Sequence, residues 1–284
     1  MKVTLKDKLS TYKQHPFSLF LMIVMVLAMV FTVGITLSLI VYIVYKGVPN
    51  LSPELFELKF TAENQFMLPS IINTVIMTVI TLVIAVPLGI GAAVYLTEYA
   101  KRGNKLVKVV RITAETLSGI PSIVFGLFGF LMFNIALHWG YSLISGAITL
   151  AMMVLPTIMR TSEEALLAVP DSYREGSFGL GAGKVRTIFS IIIPSAMPGI
   201  LSGIILSIGR IVGETAALIF TAGTYGQIPE NLFSSARTLS VHVYALLNEG
   251  LYMDKAYATA FVLLVLVVLI NLLSKYVGNK LTKK

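Results

Sequence analysis

The sequence predicts an all-α integral membrane protein with six transmembrane helices. Three observations carry this. The chain is 56% hydrophobic and only 13% charged, too apolar for a soluble domain of ordinary composition. It holds six apolar stretches, each of the roughly 20 residues that a helix needs to cross about 30 Å of hydrocarbon. Those stretches are continuous and lack the period-two alternation of barrel strands, so their backbone hydrogen bonds have to be satisfied inside helices.

The spans are expected over residues 17–45, 70–96, 107–137, 141–167, 188–222 and 256–276. Together they make a membrane domain over 17–277, between a tail at 1–16 and another at 278–284. The first apolar run, Phe17 to Val44, is too long for a signal-peptide core and has no small-residue cleavage site, so it is a retained span. In the connection after it, Ser52, Pro53 and Glu54 supply a cap, a proline at the first helical position and an early acid, the marks of a short surface helix. Pro87 with Gly89 and Gly91 in the second span, and Pro121 with Gly126 and Gly129 in the third, predict kinks and close helix approach.

Lysine and arginine placement gives the orientation. Lys2, Lys6, Lys8 and Lys13 precede the first span; Lys101, Arg102, Lys105, Lys108 and Arg111 follow the second. Arg160, Arg174, Lys184 and Arg186 follow the fourth, and Lys275, Lys280, Lys283 and Lys284 the sixth. The opposite connections mix Lys46, Lys59, Arg237 and Lys255 with six acids. The basic side is expected in the cytoplasm, with both termini there. The +8 net charge is thereby explained by topology and membrane lipid, without nucleic acid. Zero cysteines exclude a disulfide framework and thiolate metal sites.

The fourth connection is polar and glycine-rich. Pro170 and Asp171 interrupt the helix, Ser172 to Glu175 restart it, and Gly179, Gly181 and Gly183 stop it, so a short helix lies between two spans. GLGAGK satisfies neither Gly-x-x-x-x-Gly-Lys-[Ser/Thr] nor Gly-x-Gly-x-x-Gly, which argues against a nucleotide loop. In the fifth span, Ser195, Gly199, Gly203 and Ser207 recur every four residues and make a small-residue strip suited to close packing. Arg210 and Glu214 project onto the same face within roughly 20° of Gly203. A charge at the bilayer centre costs about 2.5 to 3.5 kcal/mol on insertion scales, so these two need a use. They form a structural ion pair fixing helix register, an anion site or gate in which Arg210 supplies bidentate donors and Glu214 holds or competes for it, or both together.

Glu115, near the start of the third span, is a further pathway candidate. Glu163 and Glu164 are adjacent and do not share a helix face. His15, His138 and His242 are scattered without metal-ligand spacing. Neither Gly-x-Ser-x-Gly nor His-Glu-x-x-His occurs, so no catalytic residue is assigned.

The fourth connection resembles the EAA loop of ATP-binding-cassette (ABC) transporter permeases: Glu-Ala-Ala, three residues, Gly, nine residues, then Ile-x-Leu-Pro. Here Glu175, Gly176 and Ser177 are followed after three residues by Gly181, and after nine more by Ile191 to Pro194. Within that family the stretches SGIPSIVFGLFG, LPTIMRTSEEALLAVPDSYREGSFGLG and GRIVGETAALIFTAG are similar to the A-type membrane subunits of bacterial phosphate-specific transporters. The resemblance implies a type I importer permease fold, MetI-like, in the bacterial cytoplasmic membrane. It implies a coupling helix over 170–181 that docks on an ATPase, with Arg174, Glu175, Gly176, Ser177, Gly181 and Pro194 as coupling residues. Its partners would be a second homologous permease of C type, two ATPase subunits and an extracytoplasmic phosphate-binding protein. ATP and Mg would be held by the ATPases, with no cofactor or metal on this chain. A permease for another oxyanion or small solute is the near alternative, and an ion-coupled secondary phosphate carrier the distant one; against the latter, no inverted repeat with paired broken helices is visible.

Overall fold

The computed structural model describes residues 16–58, 61, 64–101 and 103–282, with side chains up to 276. The basic tail, apart from Pro16, and the loop charges Lys59, Glu63 and Arg102 lie outside the described residues. All regular structure among those described is helical. α1 is Pro16–Gly47 and α2 is Leu68–Val94, closed by a π-helical turn at Tyr95–Tyr99. α3 is Lys105–Ser118, and α4 is Ser122–Gly129 with a π-helical extension, Phe130–Ala136. α5 is Leu143–Leu167 and α6 is Asp171–Gly179. α7, Lys184–Thr187, passes through a π turn at Ile188–Ile192 into α8, Ile193–Gly213. α9 is Ala216–Thr221, α10 is Leu239–Glu249 and α11 is Met253–Thr282.

α5 is the axis. Ala147, Leu150, Met153, Val154 and Ile158 along it are buried, packed with Met77 and Ala85 of α2, Phe125 of α4, Ile211 of α8 and Leu218 of α9. At the end nearest α6, Leu166 and Val169 close over Ile192, Ala196 and Ile200. The small-residue strip explains how α8 comes so near α5. A Cβ on Gly199 would stand 2.5 Å from Ala165 Cβ, and one on Gly203 would lie 2.7 Å from Thr161 Cβ. The third-span glycines do the same for α9: a Cβ on Gly126 would stand 2.7 Å from Ala217 Cα. α1 stands apart, nearly all exposed, and meets α11 at Gly47 beside Phe261 and at Tyr42, whose hydroxyl is 3.1 Å from that of Tyr257.

Five helices are long and apolar enough to cross a membrane, and the expected third span, 107–137, is a bent pair. α3 and α4 meet at 102°. Proline pushes the residue before it out of the α region, so Ile120 and Pro121 (ψ 141°) break the helix where the sequence alone suggested a kink. α3 keeps its lysines and Arg111 outward, and buries Val107 against Leu96 and Met159 at the α6 end. The expected fifth span, 188–222, also divides. α8 ends at Gly213, Glu214 is extended (φ −71°, ψ 132°), and α9 starts afresh. The π turn before α8 has a cause in Pro194, which has no N–H to donate and whose ring would crowd the preceding turn of a regular helix. The helix expected after Ser52 is one 3₁₀ turn, Pro53–Phe56, without a side-chain cap. α11 runs on to Thr282, into what the sequence suggested as a tail from 278.

Candidate functional site

α6 is held to the bundle chiefly by one side chain. Arg174 turns inward and donates to Glu98 Oε1 from Nη2 at 2.7 Å and from Nε at 3.2 Å. It also donates to the carbonyls of Leu166 (3.0 Å) and Val169 (2.9 Å) at the C-terminal end of α5, and its Nη1 lies 3.3 Å from Asp171 Oδ1. The side chains of Arg174 and Glu98 are only 17% and 8% exposed. A buried, hydrogen-bonded pair of this kind is costly to break from one side, because the partner is left charged and unpaired. Ser177 also faces inward, its hydroxyl 2.8 Å from that of Thr187. Glu175 is exposed, without a hydrogen bond or ion pair among the described residues, and a Cβ on Gly176 would meet open space. Gly181 ends the helix at φ +80°, a left-handed conformation that favours glycine.

Arg174 and Ser177 therefore anchor the α6 segment, and its outer face is made of other residues. Tyr173, Phe178 and Leu180 are 50%, 48% and 91% exposed. Three large apolar side chains on one polar loop mark a contact surface. Sequence reasoning missed them because it followed the glycine and glutamate spacing. It also missed Glu98, an acid just ahead of a basic run, whose only sequence signal is charge at the end of a span.

Arg210 lies in a cavity of about 1100 Å³ between α8 and α11, with Thr157 of α5 on its wall. The lining is mainly apolar and contains no carboxylate among the described residues; Thr157, Ser202, Ser207, Asn271 and Lys275 are its other polar members. Arg210 makes no hydrogen bond or ion pair among the described residues. Glu214 has left the face that the helical wheel gave it. Its carboxylate caps α9, accepting from Ala217 N at 3.1 Å, and its carbonyl accepts from Ser240 Oγ at 2.5 Å. The helix break separates the two charges, and the ion-pair reading of Arg210 and Glu214 finds no contact here.

Glu115 sits on α3, 72% exposed, 3.8 Å from Arg160. It belongs to a charged cluster at the α6 end, in which Arg111 binds the buried carboxylate of Glu163 (2.7 Å from Nε) and Arg160 binds Glu164 at 3.3 Å. Thr157 borders both the Arg210 cavity and the hollow that holds Arg160, so the two lie along one side of the bundle.

The far end is closed by the segment between α9 and α10. Arg237 donates to Thr224 O at 2.7 Å and to His242 Nδ1 at 3.0 Å, and His242 Nε2 donates to Gln65 O at 3.2 Å. Arginine has only donors, so Nδ1 accepts and the imidazole is neutral. Burial, then the Arg237 charge, lowers the His242 pKa to about 3. Unfolded chain takes up this proton near pH 6.5 while the fold resists it, so the stabilisation is complete above 6.5 and lost as pH falls towards 3. Thermal unfolding midpoints of the purified protein are expected to drop between pH 7 and pH 4. His242→Gln is expected to start lower and vary less; an unchanged slope would remove His242 from the account.

The arrangement is that of a membrane permease subunit. The chain belongs to the family of binding-protein-dependent transport system inner membrane components, whose model matches residues 85–283. Among its relatives, the probable ABC transporter permease protein YqgI of Bacillus subtilis is 36% identical over 88% of this chain and 91% of its own length. Phosphate transport system permease protein PstA 1 of Mycobacterium tuberculosis is 36% identical over 75% of this chain and 70% of its own. PstA of Xylella fastidiosa is 34% identical over 81% of each. The fold is shared with a bacterial alginate ABC transporter (TM-score 0.71, 17% identity, 96% of this chain and 98% of that one). It is shared also with the inward-facing methionine transporter MetNI (TM-score 0.60, 20% identity, 76% and 94%).

Proposed function

We propose that this chain is a membrane-spanning subunit of an ATP-driven importer of inorganic phosphate in the bacterial cytoplasmic membrane. The observation that carries the anion is Arg210, without an ion pair among the described residues and in a cavity they line with no carboxylate. Its likeness to phosphate permeases of M. tuberculosis and X. fastidiosa supports phosphate over other oxyanions. The chain itself holds no catalytic centre; ATP and Mg belong to two ATPase subunits. A second permease of C type completes the pathway, and an extracytoplasmic binding protein delivers phosphate to it. The α6 end, with both termini, lies in the cytoplasm, where the basic residues gather.

In operation, closure of the ATPases pushes on Tyr173, Phe178 and Leu180 of the α6 segment. Arg174 passes that movement to the end of α2 through Glu98 and to the end of α5 through its two carbonyl bonds. α5 packs along α8, so the helices that flank Arg210 shift with it. Arg210 attracts phosphate in passing, since a site that held it tightly would slow release.

The test is to purify the chain from its native membrane and reconstitute what accompanies it. An ATPase and a second permease are expected, together with ATP-dependent phosphate uptake that needs the binding protein. A lone chain that carried phosphate down an ion gradient would overturn the reading. Leu180→Asp puts a charge on the docking face and is expected to release the ATPase while the two permeases stay together. Retention of a fully active ATPase would reject the docking role of that face.

A further inference from the structure

The Arg210 cavity has a second wall that the mechanism has not used. α11 contributes Asn271 and Lys275, spaced by four residues and so on one face of the helix, about 6 Å apart along its axis. Asn271 is half-buried in an apolar span, between Ile270 and Leu272, and makes no side-chain hydrogen bond among the described residues. Its amide borders the cavity and has donors to offer what enters it. It stands level with the arginine, because a Cβ built on Gly209, the residue before Arg210, would be 3.8 Å from Asn271 Oδ1. Lys275 follows one turn nearer the α6 end.

Two of the three hydroxyls on the same cavity are engaged by their own helix. Ser202 and Ser207 donate back to the carbonyls of Pro198 and Gly203 at 2.9 Å each. What remains to donate is the Thr157 hydroxyl on the α5 wall and three stronger groups, the Arg210 guanidinium, the Asn271 amide and the Lys275 ammonium, the last lying nearest the α6 end. Among the described residues no carboxylate lines the wall, and neither Arg210 nor Lys275 has an ion pair. We propose that Asn271 and Lys275 form a second anion-binding position, which takes phosphate over from Arg210 on its way to the cytoplasm. This rests on the reading of the chain as a phosphate importer subunit. Two weak neighbouring positions suit transport better than one strong one, because each lowers the barrier to leaving the other.

The experiment uses the assembled transporter in proteoliposomes. Lys275→Gln and Asn271→Leu are expected to lower the maximal uptake rate about tenfold or more, the scale of a lost charge-assisted hydrogen bond. The half-saturating phosphate concentration should hold, since the binding protein sets it, and Lys275→Arg should retain most of the rate. Potential at the site is read separately. The chain has no cysteine, so in partners stripped of theirs Asn271→Cys is a unique thiol. It is expected to react faster with an anionic than with a cationic methanethiosulfonate of similar size. Inorganic phosphate should slow that reaction, and adding Lys275→Gln should reduce the preference.

Wild-type uptake by Lys275→Gln, with an unchanged reagent preference, would overturn the proposal and leave Lys275 an ordinary interfacial lysine. So would an Asn271→Cys thiol that neither reagent reaches while Arg210→Cys is labelled. Either result leaves the importer reading standing, because that reading falls only with the reconstitution above or with Arg210 itself.

Discussion

Arg210→Gln is expected to abolish phosphate uptake while the permease pair and its ATPases still assemble. The physical ground is that Arg210 has no structural work to do among the described residues. It forms no ion pair, it borders an open cavity, and Glu214, the acid expected to hold it, is occupied at the start of α9. Glutamine keeps much of the length and some hydrogen-bonding capacity but removes the charge, so packing around Gly209 and Asn271 should survive. Uptake into proteoliposomes, with ATP hydrolysis measured in parallel, separates the effects. If assembly fails together with transport, Arg210 is holding the bundle and the cavity needs another reading. Arg210→Lys is the graded control: it keeps the charge but loses the planar fork that suits a tetrahedral oxyanion, and partial uptake is expected.

The second large effect is expected at Arg174. Arg174→Met leaves the Glu98 carboxylate buried without its cation and two carbonyls of α5 without their donor, a loss on the order of 3 to 5 kcal/mol where the site cannot relax. α6 should then detach from the ends of α2 and α5, and ATP hydrolysis should continue without driving uptake. Combining it with Glu98→Gln removes the stranded charge. The double variant is expected to regain thermal stability relative to Arg174→Met but not transport, because no rigid link joins α6 to α2. Recovery of both would reduce the pair to a packing device. No change in either would remove it from the coupling path.

Much of this was legible in the chain, and the unread parts share one physical cause. Composition and apolar length identify the spans because lipid leaves the backbone little choice. The fourth connection gives up its helix, and Gly181 its turn, because proline and glycine act locally. The small-residue strip predicts that α8 packs closely on a neighbour, though not on which one, because a four-residue repeat is a property of one helix. What the sequence hid are features that depend on where a helix stops. Pro121 and Gly213 were visible, yet nothing local said that one would turn the chain through 102° or that the other would carry Glu214 off its face. Once a helix breaks, every projection drawn across the break fails, and the pairing of Arg210 with Glu214 failed in that way. Glu98, Asn271 and Lys275 were missed for a related reason: their meaning comes from helices far away in sequence.

The bend at Ile120 also bears on the lipid. α4 has eight α-helical and seven π-helical residues, which rise about 22 Å, well short of the roughly 30 Å hydrocarbon layer. A bilayer pressed against its outer side would have to thin, at a cost that grows with each ångström of mismatch. Ile123, Leu127, Phe128 and Leu131 form that side and are exposed in the single chain. Covering them with protein in place of lipid removes the mismatch. A membrane too thick for one helix thus favours a covered over a bare α4, and thicker bilayers should tighten any protein contact made on that side.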